Sequence, residues 1–154
     1  MTDNVTIRIQ TADFDVNSEI AALTASRTDI GAVVTFSGIC RGGGGSDATT
    51  ALTLEHYPGM AEAEIGRHAD EAMTRWPLTG VTVIHRTGRI LPGQNIMVVL
   101  TASAHRQAAF QAAEFLMDYL KAHAPFWKRE ETAGGTSWIA AKTDDDDAAA
   151  RWDK

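Results

Sequence analysis

The order in which strand-like and helix-like segments follow one another restricts this chain more than any other property of its sequence. Residues 5–9 (Val-Thr-Ile-Arg-Ile) alternate with the two-residue period of a strand. Residues 15–25 follow as a short helix whose apolar face comes from Ile20, Leu23 and neighbouring alanines. Residues 31–39 are β-branched and apolar and read as a well-buried strand. The glycine-rich loop Arg41-Gly-Gly-Gly-Gly-Ser-Asp47 leads to an alternating strand at 51–57, which Pro58-Gly59 ends. An amphipathic helix spans 60–76 and stops at Pro77; strands at 81–86 and 95–101 are joined through Leu91-Pro-Gly93. A second long helix, 104–123, carries Phe110, Phe115, Leu116, Tyr119 and Leu120. Beyond Pro125, strands at 126–130 and 136–140 flank Gly134-Gly135. Hairpins and helical crossovers are mixed along the chain. This order predicts an α+β fold, a mixed and largely antiparallel sheet with packed helices, rather than a doubly wound parallel sheet.

No repeat or linker divides the sequence, so residues 1–142 read as one domain and 143–154 as an acidic, flexible tail. A chain of 154 residues buries roughly two-thirds of its unfolded surface and needs no covalent staple. The single cysteine, Cys40, excludes an internal disulfide framework and a cysteine-rich metal cluster. Met1-Thr2-Asp3-Asn4 lacks the basic and apolar stretches of a signal peptide, and no apolar run approaches the length of a membrane span. A soluble, cytoplasmic protein is expected.

The net charge of −6 argues against coating nucleic acid or an anionic membrane by bulk charge. That average conceals two unlike regions. Residues 72–113 contain no Asp or Glu but hold Arg75, Arg86, Arg89 and Arg106, whereas residues 143–154 set five acids against two bases.

Three places could carry chemistry. In Ser103-Ala-His-Arg106, Ser103 is the N-cap candidate, which puts His105 and Arg106 in the first turn of the following helix. Partial positive charge at that end disfavours a cation, and the basic pair makes sense if an anion binds the exposed N–H groups. The plainer alternative is an Arg directed into solvent and a locally packed His. In Lys121-Ala-His-Ala-Pro-Phe-Trp-Lys128, two of the chain's four lysines bracket a helix end and the next strand. Lys121 suits the dipole at a helix C-terminus, while Phe126 and Trp127 could desolvate Lys128 and lower its pKa, as a nucleophile or base requires. An aromatic anchor with solvated lysines is the alternative. Arg41 ends a strand and opens onto the glycine loop, where its side chain can reach a cleft; no Gly-Lys-Ser/Thr follows, so a phosphate loop is not indicated. Cys40 reads as a small buried hydrophobe, and the five histidines lack metal-ligand spacing.

Several long motifs, in register from about Gly31 to Glu130, resemble the catalytic (large) subunit family of molybdopterin synthase. They are Gly31-Ala-Val-Val-Thr-Phe-Ser-Gly38 with Arg41, Leu52-Thr-Leu-Glu-His-Tyr-Pro-Gly-Met60, Val81-Thr-Val-Ile-His-Arg86, Ser103-Ala-His-Arg106, and Met117-Asp-Tyr-Leu-Lys121 through Ala124-Pro-Phe-Trp-Lys-Arg-Glu130. The resemblance implies an α/β-hammerhead-like α+β fold and an enzyme that converts cyclic pyranopterin monophosphate (precursor Z) to molybdopterin by installing two dithiolene sulfurs. It implies that sulfur arrives as a thiocarboxylate on the C-terminal Gly-Gly of a small ubiquitin-like partner. It further implies a homodimer of this subunit within a heterotetramer, and neither cofactor nor metal. By motif, Lys121 and Lys128 fall on the lysines associated with catalysis, and Arg41, His105 and Arg106 on the basic residues of the pterin-phosphate pocket. Gly42-Gly-Gly-Gly45 departs from the more polar, Asn-containing loop usual in the family. A non-catalytic module that binds a ubiquitin-like tail or a phosphorylated metabolite, and a standalone phosphate-ester enzyme, are the other readings. Turnover that depends on the partner distinguishes all three.

Overall fold

The computed structural model describes residues 4–43, 48–123, 125–139 and 143–153. Residues 44–47 of the glycine loop and residue 140, the expected end of the last strand, lie outside the described residues. The elements run β1 (Val5–Gln10), α1 (Val16–Thr24), β2 (Ala32–Ile39), β3 (Thr49–His56), α2 (Met60–Arg75), β4 (Leu78–Arg86), β5 (Gly88–Ile90), β6 (Asn95–Ser103), α3 (Arg106–Ala122), β7 (Phe126–Thr132), β8 (Gly135–Ile139) and α4 (Thr143–Ala150). They form an α+β fold with two four-stranded sheets, ordered β1-β4-β6-β2 and β5-β3-β7-β8. β1 pairs with β4 in parallel, and the other ladders are antiparallel.

β4 and β6 are central in the first sheet because both of their faces are apolar. Val81, Val83 and Val99 pack against Ile65 and Ala69 of α2 and Phe115, Leu116 and Leu120 of α3. Ile84, Val98 and Leu100 point to the opposite face, where Phe14 and the Val16, Ile20 and Leu23 side chains of α1 cover them. Asp15 caps α1 by accepting the Ser18 N–H at 3.0 Å. Alanines 108, 109, 112 and 113 bring α3 close to its sheet, and the Thr101 hydroxyl donates to the Ala109 carbonyl at 2.7 Å.

The strand expected to be well buried, β2, pairs only with β6 and stands at the edge of its sheet. Phe36 and Ile39 are consequently 38% and 55% exposed. Its β-branched composition suits a strand but does not say how many neighbours the strand has. The link between β4 and β6 also departs from a simple hairpin. Gly88 turns the chain at φ +85°, and β5 leaves the first sheet to pair with β3 in the second. There Ile90 joins Leu52, Leu54 and Cys40 in a separate small core, with Ile96 and Phe126 packed against both this core and the larger one.

The stretch after residue 142, expected as a tail, contains regular structure over its described residues. It is helical over Thr143–Ala150 and then makes a 3-10 turn, Arg151–Asp153. Trp152 anchors it: the ring lies 5.6 Å from Trp76 and 5.6 Å from Phe115, and its indole N–H donates to Asp118 at 2.6 Å. Arg151 pairs with Glu114 at 2.6 Å and Asp118 at 2.7 Å. Among the described residues no helix is long and apolar enough to cross a membrane.

Candidate active site: basic clusters at the two ends of one helix

Lys121 lies in the last turn of α3 with its side chain exposed. Lys128 lies on β7, between Leu54 of β3 and Ile139 of β8 in the sheet register, and is partly buried. Residues two apart on a strand share a face, so Phe126 and Lys128 both look toward Leu54 and the small core around Cys40. The Cys40 thiol donates toward the Ile90 carbonyl at 3.9 Å. Burial pushes this thiol up, Glu130 pushes it further, and Lys128 opposes both. Lys128 is therefore within electrostatic reach of the residue that precedes Arg41. The backbone at that point is pinned to the β5–β6 connection: Cys40 N–H donates to the Gln94 carbonyl at 2.9 Å, and Gly93 N–H to the Cys40 carbonyl at 2.7 Å. Arg41, Lys121 and Lys128 thus gather at one end of the molecule.

The same end holds a residue that the sequence reading weighed only as a metal ligand. His85, near the end of β4, is 6% exposed, and its ring stacks on Phe126 with centroids 4.0 Å apart and planes 18° apart. Its Nδ1 lies 2.8 Å from the Arg86 carbonyl, which can only accept, so Nδ1 carries the proton of that bond. Burial pushes its pKa down to about 4; the bond to Arg86 opposes this, and Lys128, Lys121 and His56 depress it further. At neutral pH the imidazole is uncharged. The signal was present in Val81-Thr-Val-Ile-His-Arg86, a His-Arg pair closing an apolar strand. Arg86 is structural: its Nε donates to the Thr11 carbonyl at 3.1 Å and its Nη1 to the Asn95 carbonyl at 2.9 Å.

The opposite end of α3 is built differently. Ser103, expected to cap the helix, is the last residue of β6 and is held there by pairing with Ala32. Its hydroxyl donates to the His105 carbonyl. His105 occupies the N-cap position with extended backbone (φ −128°, ψ 151°), and Arg106 is the first helical residue. The His105 side chain does not cap α3 and no acid lies in its first turn, so among the described residues none of these answers the partial positive charge of its N–H groups. A cleft of about 760 Å³ opens at this point, lined among others by Gly31, His105, Arg106, Gln107, Phe110 and Gln111. Gly31 allows the close approach of β2, since a Cβ there would collide with the Ala104 carbonyl oxygen.

The five sequence-predicted residues therefore form two groups in one chain. Arg106 and Lys121 are separated along α3 by about 22 Å, from a rise of about 1.5 Å per residue. Arg41 follows the far end of β2, whose first residue pairs with Ser103, so it sits with the lysines and away from His105. A smaller cavity of about 320 Å³ lies between α2, α3 and the C-terminal turn, beside His68, Tyr119, His123 and Trp152. His68 stacks on Tyr119 at 3.3 Å; burial depresses the His68 pKa and pushes Tyr119 up to about 12. Tyr119 and Lys121, two residues apart, project from nearly opposite sides of α3. Among the described residues no His, Cys, Asp and Glu group of three or more is arranged to hold a metal.

Comparison with known proteins agrees with this architecture. The family model described as "MoaE protein" matches residues 9–123. The molybdopterin synthase catalytic subunit of Mesorhizobium japonicum is 64% identical over 149 residues, covering 96% of this chain and 92% of the relative. The protein of the same description from Rhizobium meliloti is 58% identical over 150 residues, covering 96% of each. A solved structure, the molybdopterin biosynthesis MoaE protein from Burkholderia ambifaria, superposes with a TM-score of 0.82 at 49% identity, covering 97% of this chain and 99% of that one. With its two sheets, its paired basic clusters and these relatives, the chain belongs to the MoaE protein family, that of the molybdopterin synthase catalytic subunit.

Proposed function

We propose that this chain catalyses sulfur transfer from a thiocarboxylated, small ubiquitin-like partner to cyclic pyranopterin monophosphate, in an active site that two copies of the chain complete. The observation that carries this reading is the placement of Lys121 and Lys128 at one end of α3, beside a buried histidine that adds no charge at neutral pH. In this reading Lys121 stands near the thiocarboxylate carbon, stabilising negative charge or moving a proton as sulfur attacks the substrate. Lys128 supports the partner's tail or the substrate. Arg41, His105 and Arg106 bind the pterin phosphate, the last two beside the helix N-terminus.

The sulfur must come from outside the chain. Cys40 is the only cysteine, it is 2% exposed, and burial holds it as a thiol rather than a thiolate. The partner's thiocarboxylate sulfur bonds to a substrate carbon as a carbon–oxygen bond at that carbon breaks, the displaced oxygen leaving on the phosphate or, once protonated, as water. Water then cleaves the acyl–sulfur bond, leaving sulfur on the pterin and a carboxylate on the partner.

The separation of about 22 Å along α3 is why a second copy is needed: one small substrate cannot touch both clusters of the same chain. The edge strand β2, with Phe36 and Ile39 exposed, offers apolar surface for that contact. Complementation tests the arrangement. With thiocarboxylated partner and substrate well below KM, Lys121→Ala is expected to be inactive and Arg106→Ala to keep only about a tenth of wild-type turnover. Subunits mixed in equal amounts should recover about a quarter of wild-type turnover, because half the dimers are mixed and each holds one intact site. No recovery from demonstrably mixed dimers would place both clusters in one chain's site and overturn this reading.

A further inference from the structure

Phe126 is where the two halves of the molecule meet. It packs against both the large core of the first sheet and the small core of the second. His85 reaches it from β4 and stacks at 4.0 Å, while His56, its partner in the β3–β7 register, stands 6.1 Å away at a 42° tilt. The His85 ring is fixed at its other edge by the Nδ1–H bond to the Arg86 carbonyl. Arg86 in turn is anchored to the carbonyls of Thr11 and Asn95, so the stack rests on the ends of β1 and β6. From Phe126, two residues along the same face of β7, comes Lys128. Lys121 lies near the end of α3, which only three residues of sequence separate from the start of β7.

We propose that His85 is a positioning residue for the lysine pair: by clamping Phe126, its ring fixes the start of β7 and with it the place of Lys128 relative to Lys121. This inference rests on the reading of the two lysines as active-site amines. A stack, unlike an ammonium or carboxylate, can hold that strand without adding charge. The charged and titratable groups facing His85 are Lys128 from β7, Lys121 from α3 and His56 from β3, and all three oppose its protonation. The ring thus remains an uncharged wedge under the conditions in which the lysines act.

The test compares His85→Phe, which keeps a ring on Phe126, with His85→Gln, which keeps polarity without the ring, and with His85→Ala. Each is assayed under single-turnover conditions with cyclic pyranopterin monophosphate and thiocarboxylated partner. Folding is checked by circular dichroism and rates are normalised to folded protein. His85→Phe should retain the rate within about threefold, with an unshifted pH profile. His85→Gln and His85→Ala should lose ten- to a hundredfold in kcat with little change in KM, as expected for a misplaced reacting group. If His85→Ala fails to fold, the contrast between Phe and Gln decides. Equal rates for Phe and Gln overturn the proposal, and so does loss of a pH limb in His85→Phe, which would make His85 a proton carrier. Lys128→Ala separates the two levels of the argument. A normal rate for that variant defeats the lysine reading itself; a slow Lys128→Ala beside a fast His85→Gln defeats only the role of His85. The double variant His85→Gln/Lys128→Ala should be no slower than Lys128→Ala alone, because His85 acts through Lys128, and additive losses would overturn that route.

Discussion

At its C-terminal end α3 carries Lys121 where the helix's unpaired carbonyls favour a cation; at its N-terminal end it carries Arg106 where unpaired N–H groups disfavour one. The fold itself stabilises the first charge, whereas the second is balanced only when an anion arrives. The surroundings differ in the same sense. The lysine end is framed by a buried histidine, an aromatic stack and a strand that joins two cores, while the arginine end is an open cleft whose helix start the His105 side chain does not cap. In the proposed function one end holds the reacting groups in place and the other receives a phosphate. Catalysis and binding should therefore respond to different substitutions.

The largest contrast is expected at Lys121. Lys121→Ala should lower turnover with the thiocarboxylated partner by about a thousandfold while substrate affinity and folding persist, as checked by product formation, calorimetry and circular dichroism. Acid should then separate the two ends. An unfolded histidine takes up a proton near pH 6.5, whereas folded His85 does so only at about pH 4, so acidification between these values favours unfolding. Stability should be complete above pH 6.5 and fall by up to roughly 3 kcal/mol toward pH 4, a slope that His85→Phe flattens in denaturant titrations. Arg106→Ala should raise KM about tenfold with kcat nearly intact, since a lost charged hydrogen bond to phosphate weakens binding. A large drop in kcat there would erase the division between the ends. Trp152→Ala should cost about 2 kcal/mol in urea unfolding, below the usual loss for a fully buried tryptophan, and leave the rate per folded molecule unchanged. Smallest of all, Arg151→Ala should lower the melting temperature slightly at low salt and not at high salt, because its pairs with Glu114 and Asp118 are exposed.

The same contrast explains what was readable from the sequence. The helices and most strands were legible because their apolar periods are local: the 60–76 pattern became Met60–Arg75, and 104–123 became Arg106–Ala122. The partition into two sheets was not, because the three residues of β5 choose β3 over their chain neighbours through contacts distant in sequence. Ser103 looked like a cap because serine before a helix usually is one, but its pairing with Ala32 keeps it in the sheet. The five candidate residues stood out in the sequence as types and motifs; their division between two ends did not, since it depends on the length and direction of α3. His85 was overlooked because its contribution is a ring contact with Phe126, 41 positions away, which no spacing rule records.

The tryptophans have an optical consequence. Trp127 and Trp138 lie exposed on the second sheet, 45% and 59% accessible, whereas Trp76 and Trp152 are partly buried together beside Phe115. The emission of this chain should therefore contain a red-shifted, readily quenched component from the lysine-bearing sheet and a bluer, protected one from the α2–α3 cleft. Without any added label, iodide quenching can report separately on partner docking at one region and on release of the C-terminal turn at the other.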